Sequence, residues 1–197
     1  MKIGVLAVHG AFIEHEHIIE KIGHEVIEIR QRKDLDGIDG IILPGGESTV
    51  QGQLLRKLDM LATIKSLIAD GLPTLATCAG LILLAGHIDN DDSVHIGTLP
   101  VTVKRNAYGR QLGSFVRTAP MKGFDEFPMI FIRAPYISSI KDNVDVLAAV
   151  NDRIVAVQYN NQIGLAFHPE LSGDTRIHEY FISPVSYTHL TLPTTSR

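Results

Sequence analysis

The chain has 197 residues, with 18 Lys and Arg against 22 Asp and Glu, a net charge of -4 at pH 7 with the histidines neutral, and 45% hydrophobic residues. That length suits one domain able to bury roughly 70% of its extended surface; the interspersed charges leave no basic stripe for nucleic acid, and no segment reaches the roughly 18 apolar residues of a membrane span. A single cysteine excludes an internal disulfide framework and suits a reducing compartment, and Met1-Lys2-Ile3 leads directly into strand-like sequence, so a cytoplasmic location is expected.

Ile3 to Val8 reads as a strand, Ala11 to Ile22 as a helix closed by Gly23, Glu25 to Ile29 as a second strand and Gly40 to Leu43 as a third. Within the first helix, Glu14-His15-Glu16-His17 invites a metal reading. On a helix, however, residues i and i+2 point apart, and the zinc-binding H-E-x-x-H spacing is missing, so these residues read as a solvated face and no metal site is expected. The third strand ends in Pro44-Gly45-Gly46 and opens into a helix through Glu47-Ser48-Thr49. Two glycines let the main chain approach a ligand closely, and the Gly46 N–H is a candidate oxyanion donor. No Gly-Lys-Ser/Thr follows and no G-x-G-x-x-G occurs, which disfavours a phosphate cradle. A plain strand-to-helix turn explains the glycines but not the acidic and hydroxyl residues after them. Asp59 reads as the N-cap of a helix from Met60 to Asp70, stopped by Gly71.

Leu72 to Ala76 reads as a buried strand and Leu81 to Ala85 as the core face of a helix, with Thr77-Cys78-Ala79-Gly80 between them. Such a strand-to-helix turn is where a nucleophile elbow holds a side chain out and aims the following N–H groups at it. The helix N-terminus after Cys78 favours a thiolate, and the Ala79 N–H is the second oxyanion candidate. A free cysteine is equally at home as a small core hydrophobe, so Cys78 by itself supports either role.

From Val94 to Tyr159 the texture is strand-rich, with Leu99 to Lys104, Met129 to Ile132, Asp145 to Val150 and Arg153 to Gln158 as strands of an antiparallel extension. Gly164 to Phe167 reads as a buried strand running into His168-Pro169-Glu170. Proline pushes His168 toward extended geometry, so His168 and Glu170 face one way and form one cluster. A histidine base with a carboxylate that orients its ring is what an activated cysteine needs. Taken alone, His168 would read as a strand-end histidine; together with Cys78 and Glu170 it does not. Asp174 to Ile182 reads as a final helix. The whole pattern describes a three-layer, doubly wound α/β fold of flavodoxin-like kind, with a mostly parallel sheet, an antiparallel extension and a ligand crevice at the carboxyl ends of the parallel strands.

Leu43 to Thr49, Thr77 to Ile82, Arg105-Asn106-Ala107-Tyr108-Gly109-Arg110-Gln111, Phe131-Ile132-Arg133-Ala134-Pro135 and Phe167 to Leu171 together resemble the class I, triad-type glutamine amidotransferases. Within them they resemble the glutaminase branch that serves pyridoxal 5'-phosphate synthase. The resemblance runs from residue 1 to about residue 182. It implies hydrolysis of L-glutamine to glutamate and ammonia without a cofactor, Cys78 as nucleophile, His168 and Glu170 completing a triad, and Gly46, Glu47, Ser48, Arg105, Ile132 and Arg133 holding glutamine. It also implies a synthase subunit as partner, fed with ammonia, and slow turnover without it if the Gly46 N–H is turned away until the partner docks. Two positions depart from the family pattern: Ala76 replaces a glycine, and His9 stands where glutamine is usual. The elbow is expected to survive Ala76, while His9 bears on partner contact or activation.

Arg105 fits a carboxylate-binding role through its fork of donors, Arg133 reads as a pocket residue or a rim charge, and Arg110 stays unassigned. A cysteine-dependent stress hydrolase or redox sensor of similar fold commonly carries histidine directly after the nucleophile, where Ala79 stands here. A catalytically silent binding subunit is the other rival, and an intact triad argues against it. The domain is expected to span residues 1–182. Residues 183–197 are threonine-rich, without an acidic residue or a periodicity, and resemble vector-derived read-through, with a native flexible tail as the alternative.

Overall fold

Short apolar runs bounded by glycine, proline and charged residues become strands, and the computed structural model, which describes residues 1–106 and 113–183, joins most of them into one large sheet. In chain order the elements are β1 (Lys2–Leu6), α1 (Ile13–Lys21), β2 (Glu25–Ile29), β3 (Gly40–Leu43), α2 (Ser48–Lys57), α3 (Leu61–Ala69), β4 (Thr74–Thr77), α4 (Ala79–Leu84), β5 (Ala85–Ile88), β6 (Leu99–Lys104), β7 (Ser114–Met121), β8 (Asp125–Ile132), β9 (Tyr136–Ile140), β10 (Asp145–Val150), β11 (Arg153–Tyr159), β12 (Gln162–Leu165) and α5 (Arg176–Ile182). Ala107 to Gln111 and the expected tail from residue 184 onward lie outside the described residues.

Strands β2, β1, β3, β4 and β12 lie side by side in that order and all run parallel, which is the strand order of flavodoxin-like sheets. Beyond β12 the sheet continues antiparallel through β11 and β9 to β6, with β10 on β11 and a parallel β5 at the edge. Strands β7 and β8 pair as a separate antiparallel hairpin. The expected parallel sheet with an antiparallel extension is therefore what the chain forms.

The central strands β3, β4 and β12 are buried at every residue, as happens when helices cover both faces of a parallel sheet. Which helix covers which face follows from alternation along β4. Ala76 pairs with Gly164, and a Cβ at Gly164 would meet Leu81 of α4 at 2.8 Å, so this side of the sheet carries α4. The next residue, Thr77, points the other way, where its Oγ1 lies 3.3 Å from His15 Nε2 on α1. Helix α5 shares that side, since His178 touches His15.

Three helices end alike, with Gly23, Asp59 and Gly71 at φ of +86, +54 and +104. After each, two N–H groups turn back to carbonyls of the last turn, the Schellman arrangement that satisfies otherwise orphaned acceptors. Asp59 is thus not an N-cap as its position suggested. It closes α2, while Met60 precedes α3 without any side-chain cap, and its carboxylate meets Arg32 at 2.9 Å. Other boundaries move by one to a few residues. The apolar run expected as helix through Ala85 leaves the helix there, because Ala85–Ile88 finds β6 to pair with. Strands β5, β7 and β9 were not anticipated. No helix among the described residues is long and apolar enough to cross a membrane.

Candidate active site

Cys78 sits directly after β4 with φ of +50 and ψ of -103, a region that L-residues rarely occupy and that nucleophile elbows use. Its N–H is fixed by the Leu165 carbonyl of β12 at 2.8 Å. The small residues around it have separate reasons. A Cβ on Gly80 would collide with the Leu43 carbonyl oxygen of β3, so α4 approaches the sheet this closely only with glycine there. Ala76 lies inside β4 and is absent from the positive-φ positions of the described residues, so alanine fits the backbone at that position. The Ala79 N–H belongs to the first turn of α4 and has no helical partner.

His168 arrives from β12. The preceding Phe167 is fully buried and packs on Phe131 and Phe127, at ring-centre distances of 5.7 and 6.0 Å; truncating such an anchor costs about 3 to 5 kcal/mol. The His168 N–H is further tied to the Ile130 carbonyl at 2.8 Å. Its ring Nδ1 lies 2.7 Å from Glu170 Oε1. The two meet because Pro169–Leu171 forms a 3-10 turn, rather than through a continuous extended chain. The Cys78 thiol, whose Sγ lies 4.0 Å from the Ile132 carbonyl oxygen, also acts on the ring. Burial pulls the ring's pKa down, but the hydrogen bonds and charges of Cys78 and Glu170 outweigh it and push it up to about 10. Burial would raise the Glu170 carboxyl, yet the neighbouring His15 and His168 hold it below the ordinary value. An imidazolium between a sulfur and a carboxylate supports nucleophilic attack and then proton delivery to a leaving group.

A cavity of about 510 Å³ opens over Cys78, with walls from His9, Gly46, Glu47, Ser48, Ala79, Arg105, Ile132, Arg133 and His168. Every residue expected to act as nucleophile, base, oxyanion donor or glutamine ligand faces it except Glu170, which is buried behind His168. Glu47 caps α2, accepting from the Thr49 and Val50 N–H groups at 3.1 and 2.8 Å. Arg105 is aimed by an ion pair with Asp91 at 3.2 Å. Arg133, with φ of +42, is exposed and lines the cavity, so it is both pocket and rim.

The glycine turn is gripped from several sides. Ala11 N–H donates to the Gly45 carbonyl at 3.1 Å, which fixes the orientation of the Gly45–Gly46 peptide. Buried Gln51 donates its amide to the His9 and Pro44 carbonyls at 3.0 and 3.2 Å, tying the loop after β1 to the loop after β3. A Cβ on Gly46 would stand 3.3 Å from the His9 ring, so the departure at position 9 touches this loop.

Sequence reading missed Gln51, Asp91 and, above all, His15. The stretch from Glu14 to His17 is not a solvated face, because His15 is fully buried, with Nε2 3.4 Å from Glu170 Oε2. Only His17 of the four is exposed. A buried histidine on a helix with i, i+3 and i+4 apolar neighbours Ile18 and Ile19 was the available signal.

The model of the SNO glutamine amidotransferase family matches residues 5–187. The chain is 57% identical over 187 residues to "Pyridoxal 5'-phosphate synthase subunit PdxT" of Desulfitobacterium hafniense (strain DSM 10664 / DCB-2), covering 94% of each. Its identity to the protein of the same name from Streptococcus pneumoniae (strain ATCC 700669 / Spain 23F-1) is 50% over 187 residues, covering 93% of this chain and 97% of that one. Among solved structures, one described as a glutamine amidotransferase superposes with a TM-score of 0.88 at 38% identity, covering 91% of this chain and 96% of that one.

Proposed function

The chain belongs to the SNO glutamine amidotransferase family, and on that premise we propose that Cys78, His168 and Glu170 act as its triad in hydrolysing L-glutamine to glutamate and ammonia. The Cys78 sulfur attacks the side-chain amide carbon, and the N–H groups of Gly46 and Ala79 receive the oxyanion. His168 gives its proton to the departing ammonia, leaving a glutamyl thioester. A water that loses a proton to His168 attacks this thioester, the C–S bond breaks, and glutamate leaves with the sulfur restored. Arg105 takes the α-carboxylate of glutamine, while Gly46, Glu47, Ser48, Ile132 and Arg133 shape the rest of the subsite. None of these steps calls on a metal or an organic cofactor. The observation that carries the reading is the buried line from Glu170 through His168 to Cys78 at the base of one cavity.

The likeness to synthase subunits supports a partner: a pyridoxal 5'-phosphate synthase subunit that receives the ammonia, with both chains in the cytoplasm. The test is steady-state glutamate production at saturating glutamine, with and without that subunit. The wild type is expected to be slow alone and faster by roughly 100- to 1,000-fold in the complex, the worth of one oxyanion donor. Cys78→Ala should fold and bind glutamine yet release no glutamate. Activity in Cys78→Ala beyond a trace removes Cys78 from the nucleophile's role, and an unchanged rate in a verified complex shows a site already assembled without its partner.

A further inference from the structure

Helices α1 and α5 bring two histidines together behind the triad, and the reaction above uses neither. His15 and His178 are both fully buried, with His15 Nδ1 2.9 Å from His178 Nε2. On its other edge, His15 Nε2 lies 3.4 Å from Glu170 Oε2 and 3.3 Å from Thr77 Oγ1. Glu170 Oε1 is engaged by His168 at 2.7 Å, whereas the buried Oε2 has no hydrogen-bond partner among the described residues and is faced by His15 Nε2 at 3.4 Å. Five side chains thus form one line: Cys78, His168, Glu170, His15 and His178. Thr77 links that line back to the residue before the nucleophile.

The protons on this line can be assigned from charge. His15 faces Glu170 and His168 from the turn after β12, His178 from α5, Thr77 from β4, and Glu14 on its own helix. Burial lowers the His15 pKa; Glu170 and Glu14 pull it up, and the His168 charge pushes it down further. Burial and His15 together lower His178. Both shifts favour the neutral ring. A neutral His15 with its proton on Nε2 points a donor at the carboxylate and leaves Nδ1 to accept from His178 Nε2–H. The remaining atom, His178 Nδ1, is then a bare acceptor, and it is the atom that has no partner. The opposite tautomer would set a lone pair against the carboxylate.

We propose that His15 is a positioning residue: its Nε2–H holds Glu170 so that Oε1 faces His168, and His178 fixes the His15 tautomer that makes this possible. The proposal rests on the triad reading of Cys78, His168 and Glu170. Without His15, the buried Glu170 Oε2, which has no hydrogen-bond partner among the described residues, loses the ring that faces it at 3.4 Å, and the carboxylate is free to turn from the imidazolium it must stabilise.

The full chain, in complex with its synthase partner, is tested as His15→Leu, His15→Gln and His178→Leu, with wild type and Cys78→Ala alongside. His15→Leu is expected to lower kcat by about 10- to 100-fold with little change in KM for glutamine. It also moves the acid limb of kcat/KM to higher pH, because Glu170 loses a donor that favours its ionised form. His15→Gln, which keeps an N–H near the same place, recovers most of kcat and the wild-type limb. His178→Leu shifts the limb in the same direction by less. Unchanged kcat and acid limb in His15→Leu overturn the proposal, as does a loss in both His15 variants with neither limb moved, since that is the signature of packing alone. Should His15→Leu fail to fold, the limb in His178→Leu decides: displaced, it supports the proposal; unmoved, it overturns it. An inactive Cys78→Ala with an unaffected His15→Leu sinks only the role of His15, whereas an active Cys78→Ala sinks the triad reading beneath it.

Discussion

Gly45→Ala is a one-carbon change with a calculable effect on His168. Gly45 is absent from the positive-φ positions among the described residues, so alanine meets no backbone penalty there. The added Cβ would instead stand 2.5 Å from His168 Cε1 and 3.2 Å from Nδ1. Restoring an ordinary contact of about 3.4 Å requires the ring to retreat by about 0.9 Å. His168 has no slack, because Nδ1 is held at 2.7 Å by Glu170 and the main-chain N–H at 2.8 Å by Ile130. The ring must therefore tilt relative to the sulfur and to Glu170. A misplacement of about 1 Å costs on the order of 100-fold in rate, or about 2.7 kcal/mol of barrier. Overpacking costs about 1 to 3 kcal/mol of stability, which leaves the domain folded. Glutamate production at saturating glutamine, in the complex, is the assay, with thermal melts to establish folding. Gly23→Ala is the control: it has open space around the new carbon but φ of +86, so it loses about 1 to 2 kcal/mol of stability and no activity. A folded Gly45→Ala that turns over within about threefold of wild type would refute the claim that this glycine sets the ring's position.

The charged state of His168 makes stability depend on pH in a defined sense. Its folded pKa, about 10, lies above the ordinary histidine value of 6.5, so its contribution is complete below about pH 6.5 and disappears as pH rises through about 10. The denaturation-midpoint difference between wild type and His168→Gln should shrink across that window, and a difference that stays flat would mean that the ring is not held as an imidazolium. At the other end of the chain, removing residues 184–197 leaves α5 and the Ser183 N–H bond to the Glu179 carbonyl in place, and the melting temperature should change by no more than about 2 °C. A fall of many degrees on that cut, but not on removal of 188–197, would place the domain's end within the family match at residue 187.

The sequence alone determined whatever chemistry is local. The Cys78 elbow, the His168-Pro169-Glu170 cluster, the Gly45-Gly46 turn and the alternation that builds a parallel sheet each arise from residues a few positions apart. Backbone sterics and side-chain size at such short range admit few outcomes. What only the tertiary structure decided is which surfaces meet. His15 belongs to a polar-looking tetrad on a short helix, and nothing within that helix states that Glu170 and His178, from the far end of the chain, close over it. Asp59 reads as the start of a helix and instead ends another, and the left-handed turn that settles it is a feature of the folded backbone. Ala85 follows an apolar helical run yet begins a strand, because an edge position beside β6 was open to it. Gly45 had no role of its own in the sequence, and it is the glycine against which the His168 ring comes to rest. Burial and partnership are properties of pairs of elements, and a helix face or a strand edge acquires them only when a distant part of the chain arrives.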